Sequence, residues 1–241
     1  MFMIWMSTLA AATPVGDPVP RLAAGRVAVG TALEMSSHWL SVSDCSQGAC
    51  DGIWQRSGLV GVGRLTIVDG LGLDFSVGRL RDKISQANYS GTGVQGAIGV
   101  RGAIPLTQTG WWLSVVAQYS AGQADNGDVE GGLSMSGYSI GTSSALLAWS
   151  PVADVSFTCW GGAQGAWQWS QTITPIGLDS DGAPVLEVDV TAGLPVSGVI
   201  GLSIVSEPLG APWQPAWRLG FELEAMLGQS NLTSGRILVR F

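Results

Sequence analysis

Charge is scarce in this sequence. Charged residues make up 12% of it, about half of the roughly 25% that a soluble domain carries. An ordinary water-facing surface is therefore excluded, and a surface facing something other than water accounts for the deficit. Long apolar runs are missing as well. A membrane-spanning helix needs about 20 mainly apolar residues in succession. Here Gly, Ser, Asp or Arg interrupts every apolar stretch within a few residues. The 35 glycines argue further against helices, because each weakens a helix interior by about 1 kcal/mol relative to alanine. A chain that must satisfy its backbone hydrogen bonds in lipid without helices has one remaining solution, a closed β-barrel.

Groups that do chemistry are also few. His38 is the single histidine. It follows Ser36 and Ser37, with Glu34 or Asp44 as a possible acid partner. A nucleophile, base and orienting group must converge in space, and no motif accompanies His38. No catalysis is expected; a lipid-modifying enzyme is the distant alternative. Of three cysteines, Cys45 and Cys50 flank a polar, glycine-containing segment. They are predicted to form a local disulfide in an oxidising compartment, with two free thiols as the alternative. No histidine or second cysteine pair accompanies them, so no metal is expected, and no other cofactor. Cys159 sits in an apolar stretch and reads as a small hydrophobe. The net charge of -7 argues against a nucleic-acid partner, which requires a basic patch.

What is present is alternation with a period of two. Val27, Val29, Thr31, Leu33 and Met35 alternate with Arg26, Ala28, Gly30, Ala32 and Glu34. Val94, Ile98, Val100 and Ile104 share one face, with Gln95, Ala97, Gly99, Arg101 and Ala103 on the other. The same pattern runs through Trp217, Leu219, Phe221 and Leu223, and through Ile237, Val239 and Phe241. Such alternation marks strands. The second face is mostly Gly, Ala and Ser with an occasional charge, which suits the crowded inside of a narrow barrel rather than a solvated surface. The prediction is an all-β fold, a closed antiparallel transmembrane β-barrel. A soluble β-sandwich that buries the apolar face is the rival.

Eleven segments read as strands: 26–37, 58–68, 71–80, 93–104, 110–120, 136–149, 153–168, 185–193, 197–206, 216–227 and 235–241. Most approach the length of about 9 to 11 residues that a tilted membrane strand needs. A bacterial barrel has an even strand number, so ten is expected, with twelve or eight as alternatives. Short turns at 68–70, 105–108, 150–152 and 194–196 alternate with longer polar segments at 38–57, 81–92, 121–135 and 169–184. That is the pattern of periplasmic turns and surface loops. The longest charged run, Arg79 to Lys83 around Leu80, is too short for a linker, and one domain is expected. Residues 1–12 form a signal-like segment, 13–22 a periplasmic lead-in too short to supply a plug, and 23–241 the barrel. Trp111, Trp112, Tyr119, Trp149, Trp160, Trp167, Trp169, Trp213 and Trp217 fall near strand ends, where aromatic rings favour the headgroup level.

By this register Glu34, Arg64, Asp74, Arg101, Glu187, Asp189, Arg218, Glu222, Glu224, Arg236 and Arg240 face the lumen. Buried charges must be paired. A salt-bridged network that closes the lumen is expected, and a narrow polar channel is the alternative.

The last residues, Gly235-Arg236-Ile237-Leu238-Val239-Arg240-Phe241, end on an aromatic residue with apolar residues at alternate positions before it. This resembles the closing strand of small bacterial outer-membrane β-barrel proteins. The resemblance implies that Phe241, Val239 and Ile237 form the signal read by the barrel-assembly machinery. It also implies residence in the outer membrane of a Gram-negative bacterium, among outer-membrane lipid and lipopolysaccharide. A structural or surface-interaction role is expected, with a small passive pore as the alternative. The oligomeric state is left open.

Overall fold

The computed structural model describes residues 14–19, 25–45, 48–84, 89–125, 133–151, 156–175, 196–206, 217–227 and 230–241. Ten strands follow one another: β1 (Val27–Cys45), β2 (Gly48–Val68), β3 (Leu71–Ile84), β4 (Tyr89–Pro105), β5 (Trp111–Asp125), β6 (Leu133–Trp149), β7 (Ser156–Pro175), β8 (Val196–Val205), β9 (Arg218–Leu227) and β10 (Ser230–Arg240). Each pairs antiparallel with its neighbour, and β1 pairs with β10, so the sheet closes into a ten-stranded barrel. Closure runs through Ala28 opposite Arg240 to His38 opposite Ser230. The Phe241 amide continues the seam by donating to the Val27 carbonyl at 2.9 Å. No edge is left to expose unpaired amides, which is what lipid requires.

The alternation sets the two faces. On β4, Val94, Ile98, Val100 and Ile104 point outward and Gln95, Arg101 and Ala103 are buried inside. On β9, Leu219, Phe221 and Leu223 are outside while Glu222 and Glu224 are inside. The adjacent Leu146 and Leu147 resolve the same way, one buried and the other exposed. A protein that turns its aliphatic side chains outward all round a closed barrel is built for lipid. A membrane-spanning β-barrel is the class these features define.

Glycine permits sharp coiling at particular points. A Cβ at Gly30 would stand 1.9 Å from the Ile237 carbonyl oxygen, and one at Gly93 1.8 Å from that of Gln123. No other residue fits where the neighbouring backbone curls in so closely. Asp69-Gly70 makes the tight β2–β3 turn, with Gly70 at φ +82.

Several expectations need correction. The predicted loops 38–57 and 81–92 are largely strand, since β1 and β2 pair as far as Cys45 and Gly48 and β3 and β4 as far as Ile84 and Tyr89, and of 121–135 the described residues 121–125 and 133–135 belong to β5 and β6. Segment 169–175 likewise belongs to β7. Beyond the lipid both faces of a strand meet water, so the polarity contrast that marks it in sequence vanishes while the hydrogen bonds continue. The candidate strand 185–193 lies outside the described residues, and β7 pairs directly with β8. The other ten candidates correspond to the ten strands. Trp160 is buried in the lumen rather than at a headgroup level, and Trp112 packs toward the same interior. Residues 14–19 do not stop below the barrel as a lead-in would. They lie buried inside it, so a short segment does fill the interior. Eight strands make an interior that side chains alone can fill; ten leave room for a strip of main chain.

Candidate functional site: the occupied lumen

The lumen at the level of residues 14–19 has two walls. One comes from β5 to β9: Val116, Leu146, Ala148, Trp160, Val199 and Met226 form an apolar cluster that receives Val15 and Val19. The other comes from β2, β3, β4, β9 and β10 and carries the charges. The segment answers both, with valines turned to the first wall and main-chain groups and Asp17 turned to the second.

On the charged wall, Glu224 accepts the amide N–H of Val15 at 2.8 Å and that of Gly16 at 2.6 Å. Glu222 accepts the Asp17 N–H at 3.2 Å. Arg101 donates to the Val15 carbonyl at 2.7 Å and to the Asp17 carbonyl. The Asp17 carboxylate accepts from Ser203 Oγ at 2.7 Å and from the Val19 N–H at 3.0 Å, and Arg240 Nη2 stands 3.6 Å away. Gly16 has φ +71, and a Cβ there would lie 2.2 Å from Arg236 Nη1 and 2.7 Å from Glu222 Oε2. Only glycine suits both the backbone and the space.

The strand-borne charges also bind one another. Asp74 accepts from Arg64 Nε at 3.0 Å and from Arg101 Nε at 2.8 Å. Glu222 lies 3.1 Å from Arg240 Nη2, 3.8 Å from Arg64 Nη1 and 3.9 Å from Arg236 Nη1. Removing one member of such a network leaves a buried charge uncompensated, at about 3–5 kcal/mol.

A second polar layer lies toward the end of the barrel away from Phe241. Arg56 grips Asp82 with two bonds, at 2.9 and 3.0 Å, and its guanidinium lies 3.7 Å from the centre of the Tyr138 ring. The Tyr138 hydroxyl donates to Gln95 Oε1 at 3.2 Å, and Gln95 Nε2 donates to Glu34 at 3.1 Å. A cavity of about 70 Å3 separates the layers, bordered by Pro14, Glu34, Arg56, Gln118, Tyr138 and Arg236.

Of the residues assigned to the lumen from sequence, the structure brings together Arg64, Asp74, Arg101, Glu222, Glu224, Arg236 and Arg240 around segment 14–19, and puts Glu34 in the second layer. Arg218 stands half-buried at the rim near Phe241, opposite Arg240. Glu187 and Asp189 lie outside the described residues. So do the side chains of His38, Asp44, Cys45 and Cys50; in the backbone Cys45 pairs with Gly48 and Cys50 with Val42. Of the terminal residues, Ile237 and Phe241 point outward and Val239 is half-buried, opposite Val29.

Sequence reasoning missed Asp17, Arg56, Asp82, Tyr138 and Ser203, and gave Gln95 its inward face without its partners Glu34 and Tyr138. Carrying the period of two upward from Gly58 and Leu80 would have turned Arg56 and Asp82 inward. Nothing in the sequence pairs Asp17 with Ser203.

The sequence matches no family model and no curated protein. Among solved structures it is similar to the translocator domain of the autotransporter NalP from Neisseria meningitidis. The two are 13% identical, with a TM-score of 0.56, over 92% of this chain and 90% of that one. At that identity the likeness concerns the fold.

Proposed function

We propose that this protein is a non-catalytic outer-membrane barrel with a structural or surface-interaction role, whose lumen its own residues 14–19 keep closed. The observation that carries this reading is the seat of that segment. Its amides, carbonyls and carboxylate are bonded to charged side chains from β4, β9 and β10. Valines on the other side fill the remaining width. A passive pore would leave those charges facing a continuous water path. The strands that rise beyond the lipid supply the surface on which a partner would act.

Planar-bilayer recording tests the reading. The purified chain is expected to show no stable conductance, and a variant lacking residues 14–19 to show steady channels. Stable, reproducible channels from the intact chain would replace this reading with the passive pore. One observation favours a second reading. The segment lies in the lumen of a barrel whose fold is similar to a translocator domain, so the barrel could serve as the passage for the chain preceding it. An epitope placed ahead of residue 14 and detected on intact cells would support passage; its absence there would support the closed barrel.

A further inference from the structure

Arginine and lysine together number 11 in this chain. The arginines in the lumen are held by acids, and the described ion pairs all lie there. Three other cations behave differently. Arg79, Arg81 and Lys83 occupy alternate positions on β3, and all three are exposed on its outward face. Asp82, between them in sequence, points inward to Arg56. Below them on the outward face come Val77, Phe75 and Leu71, all apolar and exposed.

The neighbouring strands fix their level. Arg79 lies between Leu59 and Val94, both apolar and exposed on the outer face of β2 and β4. Arg81 lies between Ser57 and Thr92, and Lys83 between Gln55 and Ser90. Three adjacent strands therefore pass from aliphatic to hydroxyl and amide side chains along one line, and the cations straddle it. That line is at the end of the barrel opposite the start of β1, Phe241 and the Asp69-Gly70 turn, which makes it the cell-surface side.

Cations spaced two residues apart on a strand are about 6.6–6.8 Å from one another, close enough to repel. The nearest outward carboxylate in register is Asp125, opposite Thr92, two strands from Arg81 and so about 9–10 Å across the sheet. Arg81 itself donates to Ser90 Oγ at 3.3 Å. A groove beside the cluster is lined by Met35, Ser37, Gln55, Ser57, Arg81 and Lys83. Guanidinium and ammonium groups edged by hydroxyls and an amide, directly above an aliphatic belt, match a molecule with phosphates and sugars at one end and acyl chains at the other.

We propose that Arg79, Arg81 and Lys83 bind the phosphate groups of lipopolysaccharide in the outer leaflet, with the acyl chains lying on Leu71, Phe75 and Val77. The lipid phosphates neutralise the cluster, and the groove takes the sugar beside them.

The test uses the full chain folded in neutral detergent, with lipid A, dephosphorylated lipid A and inorganic phosphate as probes. Affinity for lipid A should fall roughly a hundred-fold in the R79S/R81S/K83S variant at low ionic strength, given the contribution of each cation beside an anionic surface. Heat-modifiability on gels should match wild type, since all three side chains are outside the lumen. Wild type should bind dephosphorylated lipid A about as weakly as the variant binds lipid A. Equal affinity of wild type and variant for lipid A overturns the proposal. So does equal affinity of wild type for lipid A with and without phosphate, a comparison that needs no variant to fold. Inorganic phosphate binding as tightly as lipid A would make this a free-anion site and overturn the lipid assignment.

Discussion

Replacing Asp17 with alanine should unseat the segment that fills the lumen. Its carboxylate accepts from Ser203 at 2.7 Å and from the Val19 amide at 3.0 Å, and it stands 3.6 Å from Arg240. A hydrogen bond to a charged group contributes about 1.5–3 kcal/mol. Arg240 keeps Glu222 at 3.1 Å, so the substitution strands no buried cation and the loss stays near the lower end for each bond. The Val19 bond is internal to the segment, so the bond to Ser203 sets the loss, about 1.5 kcal/mol or roughly ten-fold in the ratio of seated to unseated segment. The barrel itself should hold, because its ladder is made by the ten strands. The assay is the open fraction in planar bilayers, with heat-modifiability as the folding control. Ser203→Ala should act in the same direction but more weakly. The two changes should be non-additive by 0.5 kcal/mol or more, within the roughly 0.5–3 kcal/mol seen for directly bonded groups. An Asp17→Ala variant as closed as wild type, or full additivity with Ser203→Ala, would refute the account of how the lumen is filled.

Three further outcomes are expected. Arg101→Gln removes the donor shared by Asp74 and the Val15 carbonyl and should lower stability by about 3–5 kcal/mol; an unchanged thermal transition on heat-modifiability gels would count against a shared network. Phe241→Asp should reduce the fraction of chains that fold into the outer membrane while leaving barrels already formed intact, and equal folded fractions would dismiss Phe241 as an assembly signal. Thiol labelling of unreduced, denatured protein should modify Cys159 alone; labelling of Cys45 and Cys50 would rule out their disulfide.

The alternation of Val94, Ile98, Val100 and Ile104 with Gln95, Arg101 and Ala103 decided, without coordinates, which side of β4 meets lipid. Successive side chains on a strand point to opposite faces, so polarity along the chain converts directly into geometry. The tight turn at Asp69-Gly70 did less, since a plain two-residue hairpin would set Arg64 opposite Phe75, and it is the bulge between Thr66 and Val68 that brings Arg64 opposite Asp74. Beyond such local steps the sequence is mute. How far β1, β2 and β7 rise above the lipid was hidden, because a strand in water has no greasy side, and with it went the inward direction of Arg56 and Asp82. The inward turn of Trp160 was hidden too, since an aromatic residue near a strand end fits either face. The bonds from Val15 to Glu224 join residues 209 positions apart. They exist only because ten strands close at a radius that leaves space for a strip of main chain, with Glu222, Glu224, Arg101 and Arg240 converging on it. Where aliphatic and polar residues alternate, faces are a property of neighbours along the chain, and the sequence alone determines them. The filling of the lumen depends on the diameter of the closed barrel, which only the tertiary structure decides.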